Sequence, residues 1–159
     1  INIQGDEPFI EPAQIKQLMD CFKEADTDIA TLILPFPKDG TYAQLENPNR
    51  PKVVVSNDMR ALYFSRSVIP YLRGIEKEEW PAKHQYYTHV GMYAYRSNIL
   101  SRISEMPQGI LEKAESLEQL RWLENGCVIR AAITQSQSIG IDTPEDLAAA
   151  EEYIKTLNE

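Results

Sequence analysis

One apolar run constrains the fold more than any other part of the sequence. From Asp28 to Phe36 the residues are nearly all Ile, Ala, Leu and Thr, which predicts a strand that is buried on both faces. Such strands are typical of mainly parallel sheets covered by helices. Because helical and strand periodicities also alternate along the chain, we predict an α/β/α sandwich with a mixed, mainly parallel sheet and an antiparallel excursion in the middle of the chain.

Length and composition favour a single domain. The chain has 159 residues, of which 43% are hydrophobic, enough for one sizeable core and too little for two full domains. We therefore predict that residues 1–159 form one domain. Since the sequence starts within a strand and without Met, we also expect residues of the same fold upstream of Ile1, so that the domain is incomplete at its amino-terminal side.

The charge and the cysteines restrict the partners and the compartment. A formal net charge of −8 argues against a nucleic-acid partner, because such binding depends on clustered Lys and Arg. No apolar stretch approaches the roughly 20 residues needed to cross a bilayer, so no membrane partner is expected. Cys21 and Cys127 are interpreted as packed thiols in a reducing compartment. These observations favour a cytoplasmic protein.

The remaining elements are predicted from periodicity and from turn residues. Pro12 is tolerated at a helix start, and an apolar stripe at helical spacing follows it. The stripe consists of Ile15, Leu18, Met19 and Phe22. The later elements are a hairpin of Lys52 to Ser56 and Arg60 to Ser65, an exposed connection from Arg73 to Lys83, a strand from Tyr86 to Arg96, a helix capped by Ser97 and ended by Pro107, a longer helix to about Asn125, a strand from Cys127 to Thr134, and a last helix from Thr143.

Two distant aspartates suggest a shared metal site. Asp6 follows the first short strand and Asp142 follows Ile139-Gly140-Ile141. Mg²⁺ usually takes one or two carboxylates plus substrate phosphates, and ligands collect at the carboxyl ends of strands in open α/β sheets. The alternative is that both residues only cap turns and helices, where Asp bonds local backbone amides. The run from Gln4 to Pro8 favours the metal, because it holds more polar groups than a turn requires.

A polar aromatic strand face is a candidate ligand site. Period-two alternation places Tyr87, His89, Gly91, Tyr93 and Tyr95 on one face of their strand, with apolar residues on the other. Gly91 leaves a gap between His89 and Tyr93, through which a ligand could approach the backbone. Small-molecule sites favour an aromatic lining with a few polar groups. A purely structural role for His89 is an equal alternative.

Three charged residues allow a functional and a structural interpretation. Glu118 and Arg121 lie one turn apart on a predicted helix that is mostly solvated, and they can form an ordinary surface ion pair. Arg66 follows the second strand of the hairpin, where its planar guanidinium could hold a carboxylate with two hydrogen bonds. A structural salt bridge is an equal alternative for Arg66.

Several segments, taken in order, resemble one known family. They are Asn2 to Ile10, Asn47-Pro48-Asn49, Ala61 to Ser67 with Ile69-Pro70-Tyr71, His89 to Tyr95, Leu111 to Glu115 with Leu117 to Arg121, Leu123 to Gly126, and Asp142 to Leu147. This ordered set, which spans nearly the whole chain, resembles the 3-deoxy-manno-octulosonate cytidylyltransferase family, the CMP-KDO synthetases. The Gln-Gly-Asp-Glu-Pro run alone has relatives among other sugar nucleotidyltransferases, whereas the full set is specific.

The resemblance implies a nucleotide-diphospho-sugar transferase fold and a magnesium-dependent reaction. In that reaction CTP and KDO give CMP-KDO and pyrophosphate for lipopolysaccharide biosynthesis. Asp6 and Asp142 would be the catalytic metal ligands, and Gln4 would lie by the nucleotide. The resemblance places around the sugar acid Arg66, His89, Gly91, Tyr93, Glu118 and Gln119. It also implies a homodimer, with the region from Lys52 to Tyr71 contributing to the subunit contact.

One departure from the family pattern affects the expected activity. The amino-terminal nucleotide loop of the family, rich in Gly, Arg and Lys, has no counterpart in the sequence, so we expect the chain alone to lack most of its CTP site. Two alternatives stay open. A synthetase for another CMP-activated acidic sugar would keep the metal ligands and change the pocket lining. An inactive sugar-binding or dimerisation module would retain the sugar half and the dimer surface without activity.

Overall fold

A five-stranded mixed sheet forms the centre of the computed structural model, which describes residues 1–2 and 10–136. The strands are β1 (Ile29–Pro35), β2 (Lys52–Val55), β3 (Ala61–Ser65), β4 (Tyr87–Tyr95) and β5 (Ile129–Ile133), in the order β3-β2-β4-β1-β5. β1 pairs in parallel with β5 and antiparallel with β4, while β2 pairs antiparallel with β3 and β4. The predicted predominance of parallel pairing is therefore wrong for the described strands, because the hairpin and β4 bring three antiparallel pairings into the sheet.

Six short α-helices accompany these strands in the described part of the chain. They are α1 (Pro12–Asp20), α2 (Tyr42–Leu45), α3 (Trp80–Lys83), α4 (Ser97–Ser104), α5 (Ile110–Glu115) and α6 (Gln119–Glu124). α1 starts at the predicted proline and buries Leu18, but Met19 is 61% exposed, so the apolar stripe is narrower than predicted. α4 is preceded by Arg96 in extended conformation, so Ser97 is the first helical residue and not the cap.

The long helix predicted to end near Asn125 is instead two helices, α5 and α6. Ser116 has a φ of 52° and ends α5 in the left-handed conformation. A left-handed residue cannot continue a right-handed helix. The turn that it makes carries Leu117 into the core, where 6% of the residue remains exposed, and α6 begins two residues later.

Apolar side chains cover both faces of the sheet, as predicted for β1. One cluster contains Ile29, Ile33, Phe64, Tyr93 and Trp122, and the opposite cluster contains Leu18, Leu32, Val90, Met92 and Ala94. The face of β4 with Tyr93 was expected to be the polar aromatic face and not part of the core, yet Tyr93 is only 8% exposed. Helix α6 covers that face, which explains the difference.

A third cluster lies in the segment that was predicted to be an exposed connection. Trp80 is 2% exposed and packs with Phe36, Leu45 and Tyr86. Its indole N–H donates to the carbonyl of Ile75 at 2.9 Å. The prediction missed the burial of Trp80, because the charged residues around it suggested a solvated segment.

Some predicted elements lie outside the described residues, namely the helix from Thr143 and most of the first strand. Asn2 is described, and its backbone N–H donates to the carbonyl of Tyr93 at 2.8 Å. Of the helices that the structure describes, none has both the length and the apolar character needed to cross a bilayer.

Candidate functional site

The candidate site lies where β3, β4 and α6 meet. The ring centroid of His89 on β4 is 5.1 Å from that of Phe64 on β3. Tyr93, also on β4, lies 5.2 Å from His89 and packs its ring edge-on against Trp122 of α6 at 5.0 Å. The residues predicted to surround a sugar acid lie on these three neighbouring elements or directly after them: Arg66 after β3, His89, Gly91 and Tyr93 on β4, and Glu118 and Gln119 at the start of α6.

A β-bulge shapes the strand at Gly91. The register between β1 and β4 shifts from Thr31 opposite Tyr93 to Leu32 opposite Val90. Bulges redirect side chains and are common beside active sites. A Cβ added at Gly91 would meet no heavy atom of the described residues within 4 Å. Among the described residues, therefore, the space beside Gly91 is open, at the position where the sequence predicted a gap.

Thr31 is the hydrogen-bond partner of His89 within the sheet. Its Oγ1 lies 2.9 Å from His89 Nε2, 3.0 Å from the Met92 carbonyl and 3.3 Å from the Val90 carbonyl. A hydroxyl has one proton to donate, and the two carbonyls can only accept. When the hydroxyl donates to a carbonyl, Oγ1 accepts from Nε2–H. In the neutral imidazole of this tautomer Nδ1 is an acceptor, available to a ligand hydroxyl.

Two buried donors, one on β4 and one at the start of α6, have no hydrogen-bond partner among the described residues. They are the hydroxyl of Tyr93 and the Nε2 amide of Gln119. Burial, with smaller contributions from Tyr95 and Glu118, raises the pKa of Tyr93 well above its usual value, so the phenol stays a neutral donor. The neighbouring hydroxyl of Thr31 lowers this pKa by a smaller amount, but it does not meet the geometry of a hydrogen bond with Tyr93. Since buried polar groups are nearly always paired, both donors are suited to accepting groups of a bound molecule.

The guanidinium of Arg66 is held by backbone carbonyls. Nε donates to Glu115 O at 2.6 Å, Nη1 to Pro48 O at 2.8 Å and Nη2 to Ser116 O at 3.1 Å. Arg66 therefore has a structural role, as one of the two alternatives predicted, but its partners are backbone carbonyls and not the carboxylate of a salt bridge. Through these bonds Arg66 fixes the end of α5 beside the start of α6. Its contact with a sugar acid stays a prediction.

Sequence reasoning missed three residues that organise the site. Thr31 is the only residue of β1 with a hydroxyl group. Because a buried hydroxyl needs a hydrogen-bond partner, its presence in this apolar strand could have indicated a polar contact. Glu115 accepts from Ser65 Oγ at 2.7 Å and from the backbone N–H of Arg66 at 2.9 Å. Lys52 is fully buried, and burial lowers its pKa. Its position before three valines gave no sign of burial.

The residues predicted to bind metal and nucleotide, Asp6, Asp142 and Gln4, lie outside the described residues. Within residues 1–2 and 10–136, no three His, Cys, Asp or Glu side chains are grouped so that they could hold a metal ion. Magnesium binding therefore stays a prediction about Asp6 and Asp142.

The environment of His89 predicts a pH-dependent stability. Burial lowers the pKa of His89 to about 4, although an edge of the residue remains accessible. The unfolded chain, with a His pKa near 6.5, binds more protons between these values, so the free energy of unfolding falls as the pH decreases from about 6.5 towards 4. We expect the stability cost of His89→Asn to be about 1 to 2 kcal/mol smaller at pH 5 than at pH 7.5. Urea unfolding at both pH values measures this difference, and an equal cost at both would contradict it.

Comparisons with known proteins give the family. The sequence profile of the cytidylyltransferase family matches residues 1–139. The 3-deoxy-manno-octulosonate cytidylyltransferase of Bacteroides thetaiotaomicron is 55% identical over 155 residues, and that of Phocaeicola vulgatus is 56% identical over 155 residues. Each alignment covers 98% of this chain and 62% of the relative. The chain thus spans less than two thirds of the length of these relatives.

A solved structure with the same fold is the CMP:2-keto-3-deoxy-manno-octonic acid synthetase in complex with CTP. It superimposes with a TM-score of 0.86 at 37% sequence identity, covering 98% of this chain and 61% of that one. The predicted nucleotide-diphospho-sugar transferase fold is confirmed by this match. With the family profile matching most of its length, the chain belongs to the cytidylyltransferase family.

Proposed function

We propose that the full-length protein activates KDO with CTP, releasing pyrophosphate and forming CMP-KDO for lipopolysaccharide biosynthesis. The names of the relatives supply the two substrates. The observation that carries the proposal is structural: Tyr93 and Gln119 hold two buried donors without partners among the described residues. A polyhydroxylated sugar acid offers acceptors for such donors.

The described residues bind and orient the sugar in this proposal. The Tyr93 hydroxyl and the Gln119 amide donate to sugar oxygens, and Nδ1 of His89 accepts from a sugar hydroxyl. Attack of the anomeric hydroxyl on the α-phosphorus of CTP needs alignment and neutralisation of phosphate charge, without a covalent nucleophile on the protein. Asp6 and Asp142 would hold magnesium, which supplies that neutralisation when it is bound.

A homodimer and a cytoplasmic location belong to the same proposal. Leu62 is 60% exposed and Tyr71 is 71% exposed, and both lie in the region from Lys52 to Tyr71. Exposed apolar side chains of this kind are suited to a subunit contact. Cys21 and Cys127 are buried and unpaired, which fits a reducing compartment.

Pyrophosphate release by the purified full-length protein tests the proposal. We expect release only when CTP, KDO and magnesium are all present, with CMP-KDO as the second product. Activity with sialic acid and none with KDO would instead indicate a synthetase for another acidic sugar. Sugar binding by calorimetry without any turnover would indicate the inactive module.

Replacing Tyr93 by Phe tests the observation that carries the proposal. The hydroxyl has no partner to lose in the described residues, so we expect the stability to stay within about 1 kcal/mol of wild type, while the KM for KDO rises about tenfold. Tyr86→Phe is the matched control, because Tyr86 donates to the Pro70 carbonyl at 2.9 Å. We expect this control to lose about 1 kcal/mol of stability and to keep its KM. A Tyr93→Phe variant with a normal KM for KDO would remove Tyr93 from the sugar site.

A further inference from the structure

We propose that Arg121 is a positioning residue for sugar binding, which acts by fixing the carboxylate of Glu118. This inference rests on the proposed function, since it assigns Arg121 a task at the same sugar site. Arg121 itself lies one turn into α6 and need not touch the sugar.

A bidentate ion pair immobilises the guanidinium of Arg121. Nε and Nη2 donate to the two carboxylate oxygens of Glu112, each at 2.8 Å. Nη1 donates to the carbonyl of Met106 at 3.2 Å. The side chains of Arg121 and Glu112 are only 14% and 7% exposed. A planar guanidinium held by two parallel bonds is fixed in orientation as well as in position.

The fixed guanidinium also holds Glu118. Nη2 donates to Glu118 Oε1 at 2.9 Å, which confirms the predicted pair one turn apart. The Glu118 side chain is 62% exposed, and an exposed Glu that lacks a partner loses rotamer freedom when it binds a ligand. With Arg121 in place, much of that entropy is already lost before the ligand arrives.

The position of Glu118 connects this pair to the site. The charge of Glu118 contributes to raising the pKa of Tyr93 and that of Tyr95, after the larger effect of burial in both cases. Glu118 also directly precedes Gln119, whose buried Nε2 amide has no partner among the described residues. The same helix packs Trp122 against Tyr93 and Tyr95, at ring-centroid distances of 5.0 and 5.6 Å. Among hydrogen bonds in the described part of the chain, the carboxylate of Glu118 accepts only through Oε1, so Oε2 is available to a sugar hydroxyl.

Arg121 connects two helices, α5 and α6, that are separated by a break in the chain's helical conformation. Ser116 ends α5, and Glu118 precedes α6 without a side-chain cap. A one-turn break allows the start of α6 to change direction relative to α5. Arg121 joins Glu112 on α5 to Glu118 at the start of α6, and so fixes the geometry across the break.

A double-mutant cycle in the full-length protein tests the inference. Arg121→Lys keeps a charge for Glu112 but cannot bond both carboxylates in the fork geometry. We expect Arg121→Lys and Glu118→Gln each to raise the KM for KDO about tenfold and that for CTP less than twofold. Because Arg121 acts through Glu118, the double variant should also be about tenfold weaker, and not a hundredfold. Multiplication of the two effects would overturn the inference, as would an unchanged KM in Arg121→Lys.

Hydrogen exchange separates this inference from the proposed function. Without substrate, the amides at the start of α6 should exchange faster in Arg121→Lys than in wild type. Arg102→Lys is the matched control, because Arg102 of α4 donates to the carbonyl of Asn125 at 2.9 Å, at the carboxyl end of α6. In this variant neither the amide exchange at Glu118 nor the KM for KDO should change. Unchanged exchange in Arg121→Lys would overturn the inference even in an active enzyme. A wild-type protein without turnover of KDO would overturn the proposed function instead.

Discussion

Replacing Asp6 or Asp142 by Ala in the full-length protein is expected to lower kcat for CMP-KDO formation by about a thousandfold or more, which corresponds to about 4 kcal/mol of lost transition-state stabilisation. Both residues are proposed to hold the magnesium that neutralises charge on the transferring phosphates. Because neither substitution removes an apolar side chain, the fold should stay intact. Pyrophosphate release at saturating CTP and KDO measures the effect, with circular dichroism as the check on folding.

Asp39→Ala provides the matched control for this pair of variants. Asp39 is exposed and follows β1 in a turn, so its loss should leave kcat unchanged. Near-normal pyrophosphate release by Asp6→Ala or by Asp142→Ala at ordinary magnesium concentrations would count against the metal assignment. A loss confined to one of the two variants would limit the metal site to that residue.

Replacing Arg66 by Lys is expected to lower kcat/KM for KDO by about a hundredfold, equivalent to about 2.7 kcal/mol, and that for CTP less than threefold. A lysine cannot reproduce a planar fork that serves three acceptors at once. The loss of the bonds to Pro48, Glu115 and Ser116 would release the end of α5 next to Glu118. The sugar site should therefore be affected more than the nucleotide site, whether or not Arg66 also contacts the sugar.

Steady-state kinetics with each substrate varied in turn, together with urea unfolding, measures the Arg66 effect. We expect the free energy of unfolding to fall by about 2 kcal/mol, because hydrogen bonds from a charged donor are lost. Arg102→Lys, on α4, serves again as the control and should change neither specificity constant. An equal loss for KDO and CTP would remove Arg66 from the sugar site.

The strands were predictable because their signals are local. Alternation along β4 separated Val90, Met92 and Ala94 from the tyrosines, and the same separation appears in the two core clusters. The hairpin of β2 and β3 followed from its turn residues. The direction of strand pairing was not predictable in this way, because it depends on contacts between residues that are far apart in sequence.

The helix break and the polar contacts of the site depended on tertiary structure. Nothing local requires Ser116 to be left-handed; burial of Leu117 and the bonds from Arg66 to the carbonyls of Glu115 and Ser116 stabilise that conformation. Glu112 looked like a solvated helix residue, yet it is 6% exposed, because Arg121 neutralises it. Candidate site residues could be named from residue type and family resemblance, whereas their partners required coordinates.

The packing of Trp122 against Tyr93 and Tyr95 gives the protein an intrinsic optical reporter. The two ring-centroid distances are 5.0 and 5.6 Å, so the indole adjoins the phenol proposed to donate to the sugar. The chain has two tryptophans, and the other, Trp80, packs in the third cluster. Fluorescence from a Trp80→Phe variant would therefore come from Trp122 alone and would follow occupancy of the site without any turnover.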